Sequence, residues 1–435
     1  MDNRHSNYGK LIESIRYING LFDKTEKYEK EDAESLTFVE KLSIMNKMER
    51  LVNETPLHKI ELKNGNVLYL KDEGNNGYSV KVRSVMGLLL SGVIFGGIKN
   101  NTIITESSSG NTAIAEALFV KKVLHDYNVR FRAVIDSRIN ANDEHSKGYK
   151  ILKSADMVDI IEVTQKDPSG VNTRLRKVEE YKREKNCFVP DQYDNQYAVF
   201  GTYHFLGEEI DRQFKEMNLK WSDIDYMVNA VSTGAHSVGV GLYAKRKNSN
   251  IKLVGVEQQG SAILSPAYEI SDMNNIPVPY LVGGAGHRFP TKIVTRSLMW
   301  ENFWDFTAKV SDQRAFQLCF EIEKKYGIKI GPSTGMNLGA VMELAEKVEN
   351  KVFLMIGPDH MDDYPTLCNE ELVKEAEEKL VERLGGYDYR KMNIPDVSFF
   401  DVYTYKKATE LNSLHMTEIY ENEVNLPIES SQGVA

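Results

Sequence analysis

A lysine beside a turn of small residues can do amine chemistry. Burial strips water from its ammonium, lowers its proton affinity and frees a nucleophile that condenses with an aldehyde. Lys81 occupies such a place. It lies in Asn75-Asn76-Gly77-Tyr78-Ser79-Val80-Lys81-Val82-Arg83, after the β-rich run VLYLKD and before an apolar stretch. Taken alone, a solvated lysine on the first turn of a helix is the commoner arrangement, so its neighbours must decide.

Three further turns carry the residue types that hold anions. They are Glu106-Ser107-Ser108-Ser109-Gly110-Asn111-Thr112, Ser232-Thr233-Gly234-Ala235-His236-Ser237 and Gly331-Pro332-Ser333-Thr334-Gly335. Small residues let backbone amides converge, hydroxyls add donors, and a following helix contributes positive potential at its N-terminus. Each turn is also explained by ordinary capping. Three of them at strand-to-helix junctions of one chain point to a ligand crevice.

The elements that must position these turns follow from apolar patterning. The runs at 67–70, 102–105, 131–135, 158–163, 226–231, 252–257 and 352–356 are short, β-rich and without polar alternation. Parallel strands covered on both faces look like this. The segment after the 106–112 turn places Ala113, Ala117, Val120 and Leu124 on one helical face. Helices are predicted to begin near Gly239 and at Met336, and to span Leu11–Phe22, Val39–Val52 and Glu370–Leu384. An α/β fold of two open, mostly parallel sheets wrapped by helices results. The expected division is a helical N-terminal extension (1–50), a core (51–365) whose smaller subdomain spans roughly 95–205, and a C-terminal extension (366–435).

Composition narrows the class. The 435 residues are 41% hydrophobic and 27% charged, as in ordinary globular proteins. A formal charge of −9 argues against general nucleic-acid binding. The most apolar stretch, Val85 to Ile98, is too short to span a bilayer, and the first residues lack a signal-peptide core. Cys187, Cys319 and Cys368 lie far apart, without metal or redox spacing. A cytoplasmic protein without membrane or nucleic-acid partners is expected.

Taken in order, these segments resemble the cysteine synthase and cystathionine β-synthase family, the fold type II pyridoxal-phosphate enzymes. Glu54-Thr55-Pro56-Leu57 is similar to N-T-P-L, and Tyr78 to Arg83 resembles G-S-V-K-D-R. Ser108-Ser109-Gly110-Asn111-Thr112 resembles T-S-G-N-T, Val231 to Gly241 aligns on V-G-T-G-G-T-I-T-G-V-G, and Gly331 to Gly335 resembles G-I-S-S-G. Gln192-Tyr193-Asp194-Asn195 is similar to Q-F-x-N. The match covers about residues 50 to 365. Val82 departs from the family's aspartate, Ser232 and Ala235 from two glycines, and His236 from a threonine.

The resemblance implies a pyridoxal 5'-phosphate cofactor held on Lys81 as a Schiff base. It implies that Ser232, Thr233, Gly234, Ala235 and His236 hold the cofactor phosphate, that Asn111 meets its phenolic oxygen and that Ser333 faces its ring nitrogen. Ser108, Ser109, Gly110, Thr112 and Gln192 would bind the amino-acid substrate. The implied reaction is β-replacement on an O-activated L-serine through an aminoacrylate, with a small nucleophile as second substrate, in a homodimer. A β-eliminating lyase and a non-catalytic cofactor-binding homologue remain open. A protonated His236 is expected to favour the phosphate dianion, with an effect that grows as pH falls. His287-Arg288 falls in the family's glycine-rich active-site segment. Asp359-His360-Met361-Asp362-Asp363 reads as a polar turn, with no metal assigned.

Overall fold

The structure, a computed structural model, describes residues 2–25, 27–75, 79–108, 110–137, 143–163 and 171–421. Two sheets organise it. The larger has seven strands in the order Leu57–Glu61, Val67–Asp72, Val352–Gly357, Tyr226–Ala230, Lys252–Gln258, Phe306–Val310 and Val397–Phe400. Its inner strands pair in parallel, while both edge strands pair antiparallel. The smaller is wholly parallel, in the order Met157–Ile161, Arg130–Asp136, Ile103–Ser107 and Cys187–Phe188. Inner strands such as Tyr226–Ala230 are buried along their whole length, which is why their sequences show no alternation.

The seven strands anticipated from apolar runs all form, within a residue or two of the expected limits. Phe306–Val310 was not legible, because Lys309 interrupts it. That side chain is fully buried, and its ammonium is met by the Ser265 carbonyl (3.3 Å) and the Glu257 carboxylate (3.4 Å). Val397–Phe400 lies half-buried at the sheet edge, in the aromatic segment between the helices Glu370–Arg383 and Tyr405–Glu421.

Two helix starts differ from expectation. The helix expected near Gly239 begins at Ala235, after Gly234 adopts a left-handed φ of 91°. The helix expected at Met336 begins at Pro332, where the missing N–H is harmless in a first turn. The Gly331 segment, moreover, follows the helix Asp312–Tyr326 rather than a strand.

The N-terminal helices Asp2–Leu21 and Phe38–Leu51 are not a loose appendage. Leu11, Ile15, Ile18, Ile44, Met45 and Met48 are buried in the same apolar core as Leu88, Leu89 and Val199. Thr37 and Glu40 close a reciprocal capping box at the second helix. Among the described residues, no helix is long and apolar enough to cross a membrane.

Candidate active site

A cavity of about 660 Å³ opens beyond the C-terminal ends of strands from both sheets. Such strand-end crevices are where α/β folds bind ligands. Lys81, Asn111, Ser232, Thr233, His236 and Ser333 line it, and so do Ser108, Gly110, Thr112 and Gln192. Residues from five distant stretches of sequence therefore share one space. Ser109 lies outside the described residues.

Lys81 is the first residue of the helix Lys81–Phe95. The Val80 N–H donates to the Pro358 carbonyl at 2.8 Å, which ties this helix start to the turn after Val352–Gly357. Two residues on, the Arg83 guanidinium is buried against Glu73 (3.0 Å) and Glu209 (2.7 Å), so the first turn is anchored from below. The Lys81 ammonium donates to Thr233 Oγ1 at 3.1 Å. Burial pushes its pKa down to about 8, against the opposing pull of Glu106 and Asp359.

The 232–237 turn has the form of an anion cradle. Gly234 holds the positive φ, and a Cβ there would come within 2.8 Å of Val294 and 3.0 Å of Ile293. No side chain caps the helix Ala235–Lys247 that follows, and the Thr291 hydroxyl fixes the Thr233 carbonyl at 2.9 Å. Ala235 is the buried first residue of that helix, and Ser237 turns its hydroxyl to the Gly234 carbonyl at 3.3 Å. His236 is buried, and its Nε2 has no hydrogen-bond partner among the described residues. Burial, reinforced by nearby Lys81, pushes His236 down to about 3. Both influences favour the neutral ring, the opposite direction from the protonated histidine expected beside a phosphate dianion.

At the opposite end, Thr112 Oγ1 donates to Gln192 Oε1 at 2.7 Å, and Gln192 Nε2 donates to the Ser107 carbonyl at 3.3 Å. Asn111 Nδ2 donates to Asp359 Oδ2 at 2.7 Å. Sequence reasoning missed the centrality of Asp359. Lys147 Nζ (3.0 Å) and the Tyr364 hydroxyl (2.7 Å) converge on the same oxygen, with the Lys147 ammonium 3.8 Å from the centre of the Tyr364 ring. Its chain neighbours turn elsewhere: His360 to Asp72 (2.9 Å), Asp362 to Lys329 (2.8 Å) and Asp363 to Lys150 (2.6 Å). The only early sign of Asp359 was its acidic cluster; nothing in the sequence marked Lys147. The remaining wall carries Tyr193, His287, Arg288 and the buried Asp136–Arg174 ion pair.

These residues fit a phosphorylated carbonyl cofactor: an uncapped helix start with an orphaned imidazole nitrogen stands beside a buried amine of lowered proton affinity. Comparison with known proteins agrees. The pyridoxal-phosphate dependent enzyme family matches residues 48–359, and the chain belongs to that family. It is 25% identical over 336 residues to cystathionine beta-synthase of Saccharomyces cerevisiae, covering 76% of this chain and 63% of the yeast protein. It is 25% identical over 331 residues to cysteine synthase of Helicobacter pylori, covering 74% and 98% of the two chains. A hydrogen sulfide-producing enzyme from Fusobacterium nucleatum superposes with a TM-score of 0.60 at 26% identity, covering 73% of this chain and 99% of that one. The chain is therefore a pyridoxal-phosphate-dependent enzyme of the cysteine synthase and cystathionine β-synthase group, with its fold type II architecture.

Proposed function

We propose that this enzyme replaces the β-substituent of an O-activated L-serine, of the O-acetyl or O-phospho type, to form cysteine or another β-substituted alanine. The observation that carries the reading is the buried Lys81 amine, 3.1 Å from Thr233 in the wall that also holds His236 and Ser333. The names of the yeast and Helicobacter relatives support it. A second reading is elimination: the Fusobacterium relative is named for producing hydrogen sulfide, which can leave the β-carbon by elimination as well as by replacement.

In this reading Lys81 holds the cofactor, and Ser232, Thr233, Gly234, Ala235 and His236 receive its phosphate. Ser333 faces its ring nitrogen. Pyridoxal phosphate, when bound, supplies an electron sink for negative charge at the substrate Cα. The substrate carboxylate sits on Ser108, Gly110 and Thr112, with Ser109 assigned to the same loop by sequence, and Gln192 holds Thr112 in place. Asn111 sits beside the cofactor. The Lys81 amine, whose proton affinity burial lowers, takes the Cα proton and later returns it. A single experiment tests the reading. Purified enzyme is mixed with O-acetyl- or O-phospho-L-serine, with and without sulfide, and products are quantified. Replacement predicts a β-substituted alanine only when the nucleophile is present. Pyruvate and ammonia in equal amounts with and without sulfide would favour elimination, and no turnover of any activated serine would overturn both readings.

His236→Ala should raise the cofactor dissociation constant about tenfold, the worth of one hydrogen bond to a charged group. With burial and Lys81 both favouring the neutral ring, it offers the phosphate one N–H in this reading across the mildly acidic to neutral range. The effect should therefore be level from pH 6 to 8. Cofactor titration followed by absorbance checks this, and equal affinities for the two proteins would remove His236 from the phosphate site.

A further inference from the structure

Three of the residues assigned to the cofactor stand at the start of a helix. Lys81 and Asn111 are the first residues of Lys81–Phe95 and Asn111–Phe119, and Ser333 is the second residue of Pro332–Ala345. All three starts are bonded to one dipeptide, Pro358-Asp359, in the turn after the inner strand Val352–Gly357. The Val80 N–H, ahead of Lys81, donates to the Pro358 carbonyl at 2.8 Å. The Gly331 N–H, ahead of Ser333, donates to the Asp359 carbonyl at 2.8 Å. Asn111 is held differently, by its side chain, whose Nδ2 donates to Asp359 Oδ2 at 2.7 Å. The first two links are made by backbone and are indifferent to residue type. The third exists only because residue 359 carries a carboxylate.

That carboxylate is itself fixed. A Cβ on Gly331 would overlap Asp359 Oδ1, so this oxygen packs against bare glycine backbone, buried and without a hydrogen-bond partner among the described residues. Oδ2 does the accepting, from Asn111, from the Tyr364 hydroxyl (2.7 Å) and from the Lys147 ammonium (3.0 Å). An oxygen that receives three donors has no hydrogen to give. Asn111 can therefore present only its nitrogen to it, and the flip that would exchange the amide's two ends is blocked. A side-chain amide has two N–H groups. One is committed to Asp359; the other has no partner among the described residues, and Asn111 lines the cavity.

We infer that Asp359 is a positioning residue for Asn111: its carboxylate takes one N–H of the Asn111 amide and thereby keeps the other for the phenolic oxygen of the cofactor. This role rests on the reading that places Asn111 beside the cofactor, and it adds what aims the amide. Without Asp359 the amide is free to turn about its broad terminal torsion and offer its carbonyl, which cannot donate. The alternative role is a rivet between the two sheets, since Asn111 and Lys147 follow strands of the smaller sheet and Asp359 a strand of the larger. The same turn supplies a control. Asp363 takes Lys150, from the same helix as Lys147 (Lys147–Ser154), at 2.6 Å, and neither Asp363 nor Lys150 lines the cavity.

Cofactor titration of the full chain yields a dissociation constant and an absorbance maximum, which responds to hydrogen bonding at the phenolic oxygen. Asn111→Ala and Asp359→Ala should each raise the dissociation constant about tenfold, as for one hydrogen bond to a charged group, and shift the maximum alike. The double variant should stay near tenfold, because one residue acts through the other. Asp359→Asn, whose amide oxygen still accepts, should restore the parent maximum, and Asp363→Ala should leave both readouts unchanged. Losses that multiply to about a hundredfold in the double variant would overturn the proposal. So would parent affinity in either single variant, or an Asp363→Ala effect equal to that of Asp359→Ala. Should Asp359→Ala fail to fold, Asp359→Leu is combined with Lys147→Met, which removes the stranded ammonium, and enters the same cycle with Lys147→Met as its reference. Borohydride trapping on Lys81 separates the two levels. No adduct in the parent would sink the cofactor reading, whereas multiplying losses with the adduct intact would sink the role of Asp359 alone.

Discussion

Lys81→Ala should remove both the absorbance of covalently held cofactor and any borohydride-reducible adduct, and should lower turnover by about 10²–10⁴-fold, the range of one positioned proton-transfer group. The expectation rests on place as much as on identity. Lys71 and Lys309 are also buried, but Lys71 is committed to Glu209 (2.6 Å) and the Thr55 carbonyl (2.6 Å), and Lys309 to Glu257 (3.4 Å). Neither lines the cavity, whereas Lys81 does, with a neutral hydroxyl as its hydrogen-bond partner. Peptide mapping after borohydride reduction locates the adduct. A reducible adduct persisting in Lys81→Ala would assign the cofactor to another lysine.

The parallel core and the buried lysine of the cavity wall were legible in the sequence because each has a local signature. A strand covered on both faces reads as an unbroken apolar run, and Lys81 sits in a motif with fixed neighbours. The turns around the cavity were found for the same reason, but their helical limits were not. Gly234 and Gly331 look like loop residues until a positive φ in one and a proline at the first helical position after the other turn both segments into helix starts. Pro332 carried that signal and was read as part of a turn. Asp359 and Lys147 were illegible as a pair, since 212 residues separate them and neither has a periodic neighbour to mark it. The downward pull on His236 was likewise hidden, because it comes from burial and from Lys81 nearby, both properties of the folded chain.

The ionic cluster beneath Lys81 carries the second large effect. Glu209 takes the Lys71 ammonium (2.6 Å) and the Thr55 N–H (3.0 Å) on one oxygen and the Arg83 guanidinium (2.7 Å) on the other. All the partners are buried. Burial alone would raise the neighbouring Glu73, yet Arg83 and Lys71 hold it below the usual carboxylate range. Removing one member of such a cluster leaves uncompensated charge in the interior, at a cost of about 3–5 kcal/mol. Glu209→Ala should therefore lower the free energy of unfolding by that amount at neutral pH, measured by urea denaturation. The loss should shrink on the alkaline side. Burial already lowers Lys71 from its ordinary 10.5, and without Glu209 it falls further. The unfolded chain then binds a proton that the folded one does not, so the variant's stability rises with pH up to the unfolded value. The released amine can still use the Thr55 carbonyl and the Gln213 side chain (2.9 Å). Arg83 cannot release its proton, so part of the loss persists at every pH. Because Arg83 anchors the turn that begins with Lys81, cofactor attachment should weaken in parallel with stability. A variant as stable as the parent at neutral pH would show that solvent reaches this cluster and that the helix start is held by other means.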